Sequence, residues 1–150
     1  MYPSDNTPNL NGVNGGIRIL VVDDMRPSTD SLAMLLQALG HQTCNAYNGE
    51  EALEKFASFQ PEVVLLDLIM SGTTGFKTAE MMRNQFKDDK FTIVAMSGWT
   101  QTNVRQLALN AGCDAYLPKP TKLEDLNSIL ALVKAGDHSL TNFRESPRVS

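Results

Sequence analysis

The sequence predicts an α/β protein built on a doubly wound, five-stranded parallel sheet with five helices. Segments with a strand pattern and segments with a helix pattern alternate five times between residues 17 and 135. Repeated βα units of this kind form parallel sheets with helices on both faces. The strand segments are short apolar runs bounded by turn residues, as expected for strands that are buried on both sides.

The first βα unit starts with the apolar run of residues 19–22. Pro27 suits the first turn of the following helix, and Gly40 is placed to end it. Apolar residues recur along this helix at helical spacing, so we expect it to lie on the sheet. These residues are Leu32, Leu35, Leu36 and Leu39.

The second unit begins with a strand predicted over residues 42–47. Asn48 can cap the helix that follows, because Glu51 stands three residues further on in a capping-box arrangement. The buried face of this helix is expected to contain Ala52, Leu53 and Phe56.

The last three units repeat the pattern. Pro61 opens the third strand, which ends at Asp67; the fourth strand covers residues 91–96, and the fifth lies around residues 115–117. Gly112 is expected to stop the fourth helix. The predicted inward residues are Phe76, Ala79 and Met82 in the third helix, Val104, Leu107, Ala108 and Ala111 in the fourth, and Leu123, Leu126, Ile129, Leu130 and Val133 in the fifth.

The composition predicts one folded domain with polar ends. The chain has 150 residues, of which 42% are hydrophobic, and this is enough for a core without disulfides or a structural metal. Residues 1–16 are predicted to be a flexible amino-terminal segment, residues 17–135 the folded domain, and residues 136–150 a flexible tail.

Charge and hydropathy exclude several functional classes. With a net charge of -4 and scattered basic residues, direct binding of nucleic acid is not expected. The chain has neither a run of about 20 apolar residues nor the order of a signal peptide, so we expect no membrane contact and a cytoplasmic location. Cys44 and Cys113 are predicted to be free apolar thiols, and His41 and His138 to be surface or structural residues.

Polar side chains follow four of the predicted strands. Asp23 and Asp24 follow the first strand, Asp67 ends the third, and Ser97 and Lys119 follow the fourth and the fifth. If the strand order is the flavodoxin-like 2-1-3-4-5, the first and third strands are neighbours, and the three acids meet where such sheets bind ligands.

Three carboxylates at one sheet edge repel one another unless a cation neutralises them. Mg²⁺ prefers a few carboxylates together with water and phosphate oxygens, so Asp23, Asp24 and Asp67 predict a Mg²⁺ and phosphoryl site. The alternative is that each acid only caps the helix after it, but the three together favour the cation site.

Five motifs occur in order along about residues 17–134. They are LVVDD at residues 20–24, AYNGEEAL at residues 46–53, LLD at residues 65–67 with Met70 and Gly75, AMSG at residues 95–98, and AGCDAYLPKP at residues 111–120. In this order they resemble the receiver domain of two-component response regulators. No single motif is decisive, whereas the complete series is specific.

The resemblance implies a phosphoryl-accepting signalling domain rather than an ordinary enzyme. Asp67 would be the phosphoacceptor, and the donor would be a phosphohistidine on a sensor histidine kinase or a histidine phosphotransfer protein. Asp24 would bind Mg²⁺ directly, Asp23 largely through water, and the backbone carbonyl of Ile69 would complete the ligands together with Asp67. The domain would take part in its own phosphorylation and dephosphorylation.

The resemblance also implies how phosphorylation is sensed. Lys119 would neutralise the transferring phosphoryl group, Ser97 would hydrogen-bond one of its oxygens, and Tyr116 would turn inward with Ser97. This would remodel the surface that a downstream effector protein binds. The Lys119-Pro120 peptide bond is expected to be cis, as in the family. Taken by itself, Tyr116 would more often be a core residue.

Two departures from the family pattern stand out. Ser71 occupies a position that is usually proline, and we expect it to loosen the loop slightly. Ile69 and Trp99 are apolar where many relatives have polar groups, so the aspartyl phosphate is predicted to be long-lived. The alternative is that both side chains point into solvent or a partner surface and leave hydrolysis unaffected.

Two other functions use the same residues. One is an adaptor of the same fold that binds partners without phosphorylation. The other is a metal-dependent phosphatase with an aspartyl nucleophile, which needs an acid at the position of Ile69.

Overall fold

The computed structural model describes residues 16–98, 103–137 and 140. In these residues, strands and helices alternate along the chain. In chain order they are β1 (Arg18–Val22), α1 (Arg26–Ala38), β2 (Gln42–Ala46), α2 (Gly49–Phe59), β3 (Val63–Asp67), α3 (Gly75–Gln85), β4 (Thr92–Ser97), α4 (Val104–Asn110), β5 (Ala115–Pro118) and α5 (Leu123–Lys134).

The strands form one parallel sheet in the order β2-β1-β3-β4-β5. This confirms the predicted order 2-1-3-4-5. In the register of β1 and β3, Val22 pairs with Leu66. Asp23 and Asp67 directly follow these two residues, so the register brings both acids to the same level of the carboxyl edge.

The core lies on both faces of the sheet because successive strand residues point to opposite sides. Leu20 and Val22 of β1 belong to the cluster that packs against α2, α3 and α4. Ile19 and Val21 belong to the cluster that packs against α1 and α5. All the residues of β3 are buried, as predicted for a central parallel strand.

Four of the leucines predicted to face the sheet are exposed instead. In α1 the buried row is Thr29, Ala33 and Leu36, spaced by four and three residues. Leu35 directly precedes Leu36 and therefore points about 100° away from this row. Leu39 is the C-cap of α1 and lies beyond its last helical residue. The exposed leucines are Leu35, Leu39, Leu107 and Leu123.

The predicted helix ends are confirmed, with one change in the capping box. Asn48 accepts a hydrogen bond from the Glu51 amide at 2.8 Å. The Glu51 carboxylate, however, accepts from the amide of Tyr47 at 2.6 Å, one residue before the cap. Gly40 and Gly112 end their helices with φ of 99° and 110°, a backbone conformation that glycine adopts without steric cost.

The predicted tail is packed at one position. Leu140 is 1% exposed and belongs to the cluster under α1 and α5. Packing therefore extends beyond residue 135, and the flexible ends otherwise stay a prediction.

Both cysteines are free thiols, and the His41 ring accepts a hydrogen bond from the Ile17 amide at 3.0 Å.

His138 lies outside the described residues. Within the part of the chain that the structure describes, no helix combines the length and apolar character needed to cross a membrane.

Candidate functional site

The structure brings the predicted polar residues together at the carboxyl edge of the sheet. One carboxylate oxygen from each of Asp23, Asp24 and Asp67 lies within 4.8 Å of the others. Lys119 reaches into this cluster from the end of β5, and its Nζ lies 3.1 Å from Asp23 Oδ2 and 3.6 Å from Asp67 Oδ1. The adjacency of β1 and β3 accounts for the meeting of the three acids, and the long side chain of Lys119 reaches them from β5, two strands beyond β3.

Asp23 is a buried acid that is held at both carboxylate oxygens. Its Oδ1 accepts a hydrogen bond from the Met25 amide at 2.9 Å, and its Oδ2 accepts one from Lys119. Its backbone carbonyl accepts from the Thr29 hydroxyl at 2.8 Å, which ties β1 to the first turn of α1. Neither Met25 nor Thr29 was predicted; the signal would have been a hydroxyl residue within two turns of the acid pair.

Asp67 is buried in a setting that opposes its charge. Its Oδ1 accepts a hydrogen bond from the Ile69 amide at 3.3 Å. Burial raises the pKa of the Asp67 carboxyl to about 6, Lys119 counters this rise, and the nearby Asp23 carboxylate adds to it. A carboxylate with a raised pKa at the edge of a sheet is a candidate reactive group as well as a candidate cation ligand.

Asp24 is held by the loop between β3 and α3. Its Oδ2 accepts hydrogen bonds from the backbone amide and the hydroxyl of Ser71, at 2.8 and 3.0 Å. The amide of Ser71 is the largest cause of the lowered pKa of Asp24. The expectation that Ser71 loosens the loop is therefore wrong, because serine supplies the two donors that proline would lack.

The charges of the cluster suit a divalent cation. Three carboxylates against the single ammonium of Lys119 leave two negative charges, 3 − 1 = 2, at the edge of the sheet. The repulsion between Asp23 and Asp67, which raises the pKa of Asp67, would be relieved by Mg²⁺. The oxygen donors also match the ligand preference of this ion.

Ser97 and Tyr116 lie beside the acids on the β4 and β5 side. Ser97 is completely buried, and its carbonyl accepts from the Lys119 amide at 2.8 Å and from the Tyr116 hydroxyl at 3.4 Å. Tyr116 is buried as well, with the guanidinium of Arg105 4.8 Å from its ring centroid. The tyrosine thus occupies an inward position, and the Lys119-Pro120 bond is cis, as predicted.

Gly75 shapes the site in a way that the sequence did not reveal. A Cβ at this position would lie 2.2 Å from the backbone carbonyl oxygen of Asp67. The first residue of α3 therefore lies against the end of β3, where a side chain has no room. Ile69 is 39% exposed beside this loop, and Trp99 lies outside the described residues.

The fold and the site together define a class of protein: doubly wound domains that gather acids and a lysine at the switch point of the sheet. A family model described as the response regulator receiver domain matches residues 19–131. The chain belongs to this family and is a receiver domain of the two-component signalling type.

Similar proteins agree with this assignment. The chain is 37% identical over 110 residues to the response regulator MprA of Mycobacterium ulcerans, which covers 73% of this chain and 47% of that protein. It thus spans about half the length of the curated relatives it matches.

Two solved structures are also similar. The chemotaxis protein CheY4 of Vibrio cholerae is 27% identical with a TM-score of 0.73, over 79% of this chain and 99% of that one. The receiver domain of Saccharomyces cerevisiae Ssk1, solved together with the histidine phosphotransfer protein Ypd1, is 22% identical with a TM-score of 0.75, over 86% and 96% of the two chains. At this identity the second likeness concerns the fold.

Proposed function

We propose that this receiver domain takes a phosphoryl group from a phosphohistidine onto Asp67 in a Mg²⁺-dependent reaction, which then switches a partner-binding surface. The observation that carries the proposal is the position of Asp67. It is a buried carboxylate within 3.6 Å of the Lys119 ammonium and inside a cluster of three acids.

Asp67 is the proposed nucleophile. A carboxylate oxygen attacks phosphorus, the bond from phosphorus to the histidine nitrogen breaks, and the leaving imidazole keeps the electron pair and takes up a proton. Only the ionised carboxyl can attack, and a pKa of about 6 leaves Asp67 ionised at pH 7 and above.

The proposed direct ligands of Mg²⁺ are carboxylate oxygens of Asp24 and Asp67 and the backbone carbonyl of Ile69, and Asp23 is proposed to hold the ion largely through water. When bound, the ion would neutralise charge on the phosphoryl oxygens, which is its general contribution to phosphoryl transfer. The hydrogen bonds to Asp23 from Met25 and Lys119 hold that carboxylate in place before any ion arrives.

Lys119 and Ser97 are proposed to hold the transferred group. The Lys119 ammonium already lies beside Asp67, so it can pair with a phosphoryl oxygen once the group is attached. Ser97 ends the adjacent strand β4, and its hydroxyl can donate to a second oxygen.

Tyr116 is the proposed link from the site to the surface. Its hydroxyl bonds to the Ser97 carbonyl, so a shift of Ser97 toward a phosphoryl group changes the setting of the tyrosine. Phosphorylation would then shift a balance between two conformations of the face formed by α4, β5 and α5. A downstream effector protein would bind one of them.

A protein phosphodonor is supported by exposed apolar side chains at the start of α1 and along it. Met25, directly after the acid pair, is 59% exposed, and Leu35, about 15 Å further along by the helical rise, is 41% exposed. Exposed apolar side chains on a helix that starts at a reactive site suit a protein-binding surface. The proposed donor is a sensor histidine kinase or a histidine phosphotransfer protein. The proposed location of the transfer is the cytoplasm.

Intact-mass measurement after incubation with Mg²⁺ and a small acyl phosphate tests the proposal. The wild type should gain one phosphoryl group, and Asp67→Ala should gain none. Asp88→Ala is the matched control, because Asp88 is an exposed acid between α3 and β4 and should not matter. An unmodified wild type contradicts the proposal and favours the adaptor function, and an adduct that persists in Asp67→Ala contradicts the role of Asp67 as phosphoacceptor.

A further inference from the structure

Ser71 makes an unusual contact with the acid cluster. Its backbone amide and its hydroxyl both donate to Oδ2 of Asp24, at 2.8 and 3.0 Å. The two residues are 47 positions apart in the chain, so the contact joins the loop after β1 to the loop after β3. A proline at position 71 could make neither bond, because it has no amide hydrogen and no hydroxyl.

Asp24 differs from the other two acids in its surroundings. Asp23 and Asp67 are 4% and 5% exposed and both face Lys119. Asp24 is half-buried at the rim, where a short carboxylate would rotate freely in water. With Oδ2 held by Ser71, this rotation is restricted.

We propose that Ser71 is a positioning residue that prepares Asp24 for Mg²⁺ in this chain. The inference rests on the proposed function and adds a contributor to the metal site from outside the acid cluster. Because Ser71 engages Oδ2, the other oxygen of Asp24 remains for the ion. Holding a ligand before binding removes the cost of ordering it, and hydrogen-bond partners of metal ligands commonly change affinity by about 10- to 100-fold.

Calorimetric titration of Mg²⁺ into the wild type and three variants tests the proposal. Ser71→Pro removes both donors and should weaken binding about 10-fold or more, while Ser71→Ala keeps the amide and should weaken it about threefold. Ser71→Thr retains amide and hydroxyl and should bind as the wild type does. Ser58→Ala, an exposed serine in α2, is the control.

A kinetic measurement separates positioning from a general disturbance of the loop. With a small acyl phosphate as donor, the Mg²⁺ concentration for half-maximal phosphorylation should rise in Ser71→Ala. The rate at saturating Mg²⁺ should stay within about twofold of the wild type, because Ser71 positions a ligand and does not touch the reacting atoms. A loss of the saturated rate with unchanged Mg²⁺ dependence overturns the inference.

The outcomes distinguish the two proposals. If the wild type binds no Mg²⁺, the proposed function and the inference both fail. If the wild type binds Mg²⁺ and Ser71→Ala binds equally well or more tightly, only the inference fails, since Ser71 would then be neutral or a competitor of the ion. Should Ser71→Pro not fold, the Ala and Thr variants still decide.

Discussion

At Asp67, the charged form that the proposed chemistry requires is the form that burial destabilises. Burial at the end of β3 and the neighbouring Asp23 carboxylate both disfavour its charged form, and Lys119 compensates only in part. The group that the proposed chemistry requires in ionised form is thus one that the folded protein holds at a cost. Such a cost is common where a site awaits a cation.

The first prediction is that Asp67→Asn stabilises the metal-free protein at neutral pH. The folded pKa is raised from 3.8 to about 6, so the folded state binds more protons than the unfolded state between these values. The contribution of Asp67 to stability is therefore full below its unfolded pKa and is lost as pH rises through about 6. After allowance for solvent screening, we expect Asn to gain about 1–2 kcal/mol over Asp across this range.

Urea unfolding of both proteins with a chelator, from pH 4 to pH 8, measures this difference. The gain should grow with pH and level off above about pH 7. A difference that does not change with pH would show that charge burial at Asp67 is not its cause. Adding Mg²⁺ should stabilise the wild type more than Asp67→Asn.

The second prediction concerns the thiols. Burial raises the pKa of Cys113 to about 12, and the thiol is 4% exposed, whereas Cys44 is partly exposed on the edge strand β2. Since the thiolate is the reactive form, iodoacetamide at pH 8 should modify Cys44 alone in the folded protein. Peptide mapping checks this, with urea-unfolded protein as the control in which both react; fast labelling of native Cys113 would refute it.

At the scale of secondary structure, the site depends on how closely α3 approaches β3. The amide of Gly75, the first residue of α3, donates to the Leu68 carbonyl at 3.0 Å, and a Cβ at position 75 would overlap the Asp67 carbonyl. The neighbouring Thr74 caps the helix by accepting from the Lys77 amide. Cap and glycine together set where the helix starts relative to the acid.

The third prediction follows from this contact. Gly75→Ala should destabilise the protein by about 2 kcal/mol or more, because backbone must move to admit the methyl group. Gly98→Ala is the control, since a Cβ there meets no atom of the described residues within 4 Å and its φ is not in the left-handed region. Chemical denaturation should find Gly98→Ala within about 1 kcal/mol of the wild type. Equal stability of the two variants would contradict the prediction.

At the scale of the whole molecule, the sheet separates two kinds of surface. The acids lie at its carboxyl edge, and α1, which starts immediately after Asp24 and Met25, carries exposed apolar side chains. On the other side of the sheet, α4 contacts the strand that carries Tyr116. The proposed function would place donor binding near α1 and the changed surface at α4.

The fourth prediction tests this division. Leu35→Glu should slow phosphoryl transfer from a phosphorylated histidine phosphotransfer protein about 10-fold, because a charge replaces an apolar contact worth about 1–2 kcal/mol. Transfer from a small acyl phosphate should not change. Leu107→Glu on α4 is the matched control, as Leu107 is 42% exposed and Leu35 41%. Equal slowing by both variants, or slowing with the small donor, would argue against donor binding at α1.

The sequence alone predicted the order of elements, the strand ends to within about one residue and, once the strand order 2-1-3-4-5 is assumed, the meeting of Asp23, Asp24 and Asp67. These follow from local patterns, the period of apolar residues and the position of acids after strands, together with the rules that restrict parallel sheets. Such signals lie within a few residues of the feature they predict, so they can be read without knowing distant contacts.

Only the tertiary structure decided which leucines of α1 are buried, that Ser71 holds Asp24, that Gly75 lies against Asp67, and that the pKa of Asp67 is raised. Each of these depends on groups far apart in the chain. Helix rotation is set by the whole packed face, and a pKa by every charge and apolar atom around the carboxyl. A local sequence pattern contains no information on these distant groups. The position of the site could therefore be predicted from the sequence, whereas the helix rotation and the pKa of Asp67 could not.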